Sequence, residues 1–181
     1  MRSSNLKSIV LAAALGSFAA CSASDVTGPR NIESKAQRDS AALFGIFNPR
    51  LVTCPGGESA TSTSELGPLG GVLSAGGVSV SVPAGALLEP VTMTLSVPAS
   101  QYVEVDVSVE GVDHFLFETP VTVTMSYARC TRWDVLLFPN AVFHIDSDSK
   151  QLLERMPTFD NKLTRTVTFT TGHLSGYALA N

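Results

Sequence analysis

The stretch Val103-Glu104-Val105-Asp106-Val107-Ser108-Val109 places an apolar residue at every second position and a polar one between. A strand turns successive side chains to opposite faces, so this pattern puts one face in a core and leaves the other polar. The same alternation recurs on both sides of it. Val78, Val80 and Val82 alternate with Ser79 and Ser81; Val91, Met93, Leu95 and Val97 with Thr92, Thr94 and Ser96; Val121, Val123, Met125 and Tyr127 with Thr122, Thr124 and Ser126. Val142 to Ile145, Val167 to Thr171 and Leu174 to Ala180 extend the series, and Val135-Leu136-Leu137-Phe138, apolar throughout, is expected as a central strand. Turn residues separate the runs: Gly76-Gly77, Pro83-Ala84-Gly85, Glu89-Pro90, Thr119-Pro120, Pro139-Asn140 and Asp160-Asn161. Many half-buried strands with frequent turns and no long amphipathic helix predict an all-β, antiparallel β-sandwich over residues 51–181.

The chain has 181 residues and a formal charge of −4, with 44% hydrophobic and 15% charged residues. The acidic balance excludes a basic surface for nucleic acid, and the composition excludes a disordered acidic chain. Three cysteines are too few for a disulfide-dense miniprotein or a four-cysteine zinc site.

Residues 1–20 divide as a signal peptide does. Arg2 and Lys7 precede an uncharged, mostly apolar run from Ile9 to Ala20, shorter than the roughly 18 residues that span a bilayer. Phe18-Ala19-Ala20-Cys21 closes that run and resembles a bacterial lipobox, with Phe18 where the pattern prefers Leu. The resemblance implies cleavage before Cys21, lipidation of its thiol and an acylated N-terminus. Loss of Arg2 and Lys7 takes the formal charge from −4 to −6, so membrane attachment falls to the acyl chains, at about 0.8 kcal/mol per buried methylene. Ser22 after the lipidated cysteine resembles the outer-membrane sorting choice of enteric bacteria. The expected location is therefore the bacterial cell envelope, lipid-anchored, at the outer membrane. Residues 21–50 form a lipidated tether, either a flexible spacer or one carrying a short helix from Asn31 towards Leu43.

Gly70-Gly71-Val72-Leu73 followed by Val80-Ser81-Val82-Pro83-Ala84-Gly85-Ala86-Leu87 resembles the ZU-five domain of ankyrins, netrin receptors and tight-junction scaffolds. Phe117-Glu118-Thr119-Pro120-Val121-Thr122-Val123 is similar to that family's Phe-x-x-Pro-Val-x-Val strand opening. His173-Leu174-Ser175-Gly176-Tyr177-Ala178 is similar to the ending of bacterial secreted relatives. Together these elements span roughly residues 68–180. The resemblance implies a sandwich used for interaction or structure and not as an enzyme, with a protein or an envelope polymer as its partner.

Cys54 and Cys130 remain after lipidation. In an oxidising compartment they are expected to form a disulfide, since both stand at the ends of predicted strands. Asp146-Ser147-Asp148-Ser149 resembles the opening of a calcium loop, but Lys150 and Gln151 occupy the positions that need an oxygen ligand and glycine. A polar hairpin turn is expected there. Glu104, Asp106 and Glu110 share a face and are expected to be solvated. His114, His144 and His173 show no metal-ligand spacing, so no metal site and no cofactor are expected. His173-Leu174-Ser175 resembles sites at which a hydroxyl attacks its own preceding peptide bond with the histidine as base. An autoproteolytic module cutting between Leu174 and Ser175 is therefore one alternative. A carbohydrate-binding sandwich is another; it calls for exposed aromatic platforms, for which Trp133 and three tyrosines are available, so that an exposed, coplanar aromatic pair favours it and a buried Trp133 counts against it.

Overall fold

Eleven strands and one helical turn carry out the alternating pattern in the computed structural model, which describes residues 48–181. The signal peptide, Cys21 and the Asn31–Leu43 helix expectation lie outside the described residues. In chain order the elements are β1 (Ala60–Leu66), β2 (Gly71–Ala75), β3 (Val78–Val82), β4 (Val91–Val97), β5 (Glu104–Val109) and β6 (Leu116–Ser126). Then come α1 (Trp133–Leu137), β7 (Ala141–Ile145), β8 (Leu152–Arg155), β9 (Thr158–Asn161), β10 (Thr166–His173) and β11 (Gly176–Ala180). Every strand pairing is antiparallel. One sheet has the order β1-β4-β5-β11-β7-β8, the other β2-β3-β6-β10-β9. The expected all-β sandwich is the fold.

The apolar half of each alternation meets its counterpart between the sheets. Met93, Leu95, Val105 and Val107 from the first sheet and Val80, Val121, Val123, Met125, Val167 and Phe169 from the second belong to one buried cluster. Each such side chain contributes about 1.5–3 kcal/mol on burial, which makes this layer the main source of stability. Strand β1 is largely exposed and rich in Ser and Thr, as suits an edge that must not recruit another sheet.

Glycine is required at two turns. Gly76 and Gly77 (φ 54° and 81°) form the two-residue link between Ala75 and Val78, where both positions need the left-handed region. Gly70 (φ 72°) lies so close to β3 that a Cβ there would stand 2.2 Å from the Val82 carbonyl oxygen.

Two expectations are corrected. Val135-Leu136-Leu137-Phe138 is not a central strand: residues 133–137 form α1, with Val135 buried and Leu137 and Phe138 exposed. A four-residue apolar run has no period of its own, and its surroundings decided the outcome. The flanks of β7 are already taken by β8 and β11, so no sheet edge is left for the run. Pro139 forces Phe138 into extended backbone (φ −91°, ψ 152°) and ends the helix. Glu104 is not solvated either. It is 5% exposed, and its carboxylate meets Lys150 Nζ at 2.5 Å. Strand β5 lies inside its sheet, and the β7–β8 turn folds over its outer face. There Ser147 Oγ donates to Asp106 Oδ2 at 2.8 Å. That turn is the expected polar hairpin: Asp146 Oδ1 accepts from the backbone N–H of Asp148 and of Ser149 and from Ser149 Oγ. These donors, led by Ser149, hold the Asp146 carboxyl below the usual range.

Cys54 and Cys130 form the expected disulfide, with Cα atoms 4.7 Å apart. It ties the segment before β1 to the segment between β6 and α1. Polar contacts reinforce the same corner: the Arg129 guanidinium donates to the carbonyls of Pro55, Ser100 and Tyr102, and Arg132 Nη1 to Thr53 Oγ1. The bridge spans 76 residues, which in the chain-entropy treatment restricts the unfolded chain by about 4 kcal/mol. The double variant Cys54→Ala, Cys130→Ala is therefore expected to keep the fold and to lose about 4 kcal/mol in urea unfolding. An unchanged midpoint would contradict the assignment.

Candidate functional site

Strand pairing brings distant polar residues together at one end of the sandwich. In the β7–β8 hairpin, His144 stands directly opposite Glu154, and across the other edge of β7 it stands opposite Tyr177 of β11. Directly opposed residues share a face, and here it is the inner one, since Val142, Tyr177 and Leu179 belong to the central core. From the second sheet, β10 shifts register between Thr171 and His173, and this irregularity delivers the His173 ring to the same end. The His144 and His173 rings are 5.2 Å apart at 62°. One donor atom each from His144, Glu154 and His173 lie within 4.8 Å of one another. Both histidines are half-buried, while Glu154, on the edge strand β8, is exposed.

A closed ring of hydrogen bonds holds His173. Tyr177 Oη donates to the His173 carbonyl at 2.7 Å, and the Thr171 hydroxyl lies 2.8 Å from Tyr177 Oη. The His173 N–H returns to Thr171 Oγ1 at 3.2 Å. Tyr177 is fully buried, and burial pushes its phenol up to about 12. Burial likewise pushes His144 below the ordinary imidazole range; nearby His173 adds to that shift and Glu154 opposes it.

Where β10 passes into β11, His173 precedes Leu174-Ser175. Its ring faces His144 and Tyr177, and among the described residues no hydrogen bond joins it to Ser175. The side-chain donors converge on the carbonyl of His173, one residue before the Leu174 carbonyl that Ser175 would attack. Gly172 and Gly176 have no positive φ, so neither supplies backbone strain. Gly176 serves a close approach instead: a Cβ there would lie 2.2 Å from Ser147 Oγ.

The His144–Glu154–His173 cluster had no signature in linear spacing. The turn over Asp146–Lys150 alone would set 144 opposite 153; a register shift between His144 and Ile145 brings Glu154 there instead. His114 stays apart, exposed in the link before β6.

A second feature lies beside the disulfide. Trp133, which opens α1, is 67% exposed and Phe138, just past its end, 53%, and the two rings meet edge-to-face at 5.8 Å. Exposed Leu137 completes an apolar surface. After the helix, Asp160 accepts from Tyr127 Oη at 2.7 Å and from the Asn140 N–H at 2.8 Å and pairs with Lys162. Burial, followed by the bond to Asp160, raises the Tyr127 phenol. Lys162 Nζ in turn donates to the Val135 carbonyl at 2.8 Å. Trp133 is not buried, and the ring it meets is inclined by 60° and not coplanar with it.

The chain matches no family model and no curated protein.

Between pH 10 and about 12 an unfolded chain has lost the Tyr177 proton while the folded protein keeps it, so stability falls as pH rises across that window. Tyr177→Phe is expected to lack this part of the alkaline loss. At neutral pH it should be less stable by about 1–3 kcal/mol, because Thr171 and the His173 carbonyl lose a buried partner. Urea unfolding at pH 7, 10 and 11.5 measures both effects.

Proposed function

We propose that the protein is a lipid-anchored component of the bacterial cell envelope whose ZU-five-like β-sandwich is a non-enzymatic binding or scaffolding module. The observation that carries the binding role is the Trp133–Phe138 surface. A large aromatic side chain left two-thirds exposed on a braced helical turn forfeits burial energy that the core would have supplied. Tryptophan in such a position is characteristic of the anchors that dominate protein interfaces. The edge-to-face geometry favours a protein partner over a sugar ring, which stacks on a flat platform.

The envelope location draws support from the Cys54–Cys130 bridge, since disulfides persist in oxidising compartments. Among the described residues no helix is long and apolar enough to cross a membrane. Attachment is assigned to acyl chains on Cys21, and the order of the glycine, proline and His-Leu-Ser-Gly-Tyr motifs supports the ZU-five-like assignment.

Two measurements test the proposal. In detergent phase partitioning, Cys21→Ser is expected to leave the detergent phase or to stay unprocessed; partitioning identical to wild type would remove the lipid anchor. For the binding role, chemical crosslinking in native envelopes is expected to give a discrete adduct with wild type. Trp133→Ala should weaken that adduct about tenfold or more, as loss of an interface anchor does. An adduct undiminished by both Trp133→Ala and Phe138→Ala would place binding elsewhere.

A further inference from the structure

We infer that His144, Glu154 and His173 form a binding site for a divalent transition-metal cation of the zinc type, closing the open end of the sandwich. The inference rests on these three side chains and is independent of the envelope assignment.

Two imidazoles and one carboxylate are the donor set that zinc and its neighbours accept, and hard cations such as calcium and magnesium do not favour it. The three donors lie within 4.8 Å of one another. A tetrahedral zinc with bonds of about 2.0–2.1 Å needs donors roughly 3.4 Å apart. Side-chain rotation can supply this contraction, because Glu154 is exposed at a sheet edge and both imidazoles are only half-buried. The strands themselves need not move.

The surroundings fit the role in two further respects. First, the His173 ring has an outer partner: its Nδ1 lies 3.4 Å from Tyr177 Oη, whose proton is already committed to the His173 carbonyl. The tyrosine oxygen is thus an acceptor for Nδ1–H, which leaves Nε2 as the free donor. Metal-bound histidines are commonly oriented by such an acceptor on the second nitrogen. Second, among the described residues no salt bridge engages Glu154. Three protein ligands leave a fourth position for water or for a donor from outside. The ion would also link the two sheets, since His144 and Glu154 belong to one and His173 to the other.

The test uses the full-length protein without a histidine tag, stripped with chelator and titrated with Zn²⁺, and in parallel with Co²⁺ as an absorbing probe. Equilibrium dialysis is expected to give one ion per chain, with Co²⁺ showing the intense visible bands of a tetrahedral site. Thermal unfolding should rise on the order of 10 °C at a hundredfold excess over Kd. Glu154→Gln, His144→Gln and His173→Gln should each weaken uptake about tenfold or more, and His114→Gln should leave it unchanged. Glu154 is exposed, so its variant folds and decides the matter if a histidine variant does not. Absence of saturable uptake, or uptake untouched by Glu154→Gln, would overturn the site.

Discussion

The six-stranded sheet depends on β11. Its neighbours come from distant parts of the chain: β5 pairs with it through Gly176–Asp106, Tyr177–Val105 and Ala178–Glu104, and β7 through all five of its residues. Without this strand the sheet separates into a β1-β4-β5 portion and a β7-β8 hairpin. All five residues of β11 are buried. Tyr177 and Leu179 face the central core, while Ala178 and Ala180 join Phe143 and Ile145 in a second apolar cluster on the other side. Small residues on that outer side let the β7–β8 turn lie against the sheet. Its Lys150 and Ser147 then cover the carboxylates of β5. The same strand presents Tyr177 to His144 and His173, so sheet continuity and the polar end of the sandwich have one origin.

Period two was legible wherever one side of a strand is buried and the other is not. Strands β3, β4, β5 and β6 follow their alternation closely, because burial, and not intrinsic propensity, selects the residues at those positions. The pattern carried less at the margins. Val135–Phe138 is apolar without a period, and only the occupied flanks of β7 and the proline at 139 exclude it from a sheet. Glu104 looked like a solvated position because alternation records which side of the strand a residue takes. It does not record what later folds over that side.

The polar cluster was illegible for a related reason. His144 and His173 are separated by 29 positions and occupy different sheets, so their approach depends on how the sheets pack and on one irregularity in β10. Local spacing can report metal ligands on a helix or in a tight loop, where chain geometry sets the distance. Across a sandwich, that distance is a tertiary quantity. The disulfide is the intermediate case: compartment chemistry and elimination identified Cys54 and Cys130 as partners, but only the structure shows the Arg129 and Arg132 contacts that hold the same corner.

The late position of β11 has a consequence for biosynthesis. The edges of β5 and β7 that face β11 keep unpaired N–H and C=O groups until residues 176–180 have been made. Pairings such as Asp106–Gly176 close long stretches of chain, and contacts of that kind form slowly. A nascent or clipped chain that stops short of Gly176 therefore carries two sticky strand edges in the interior of an unfinished sheet, where β1 and its serines and threonines offer no protection. Such fragments are the natural substrates of chaperones and proteases, and insertion of a five-residue strand turns an aggregation-prone chain into a closed one.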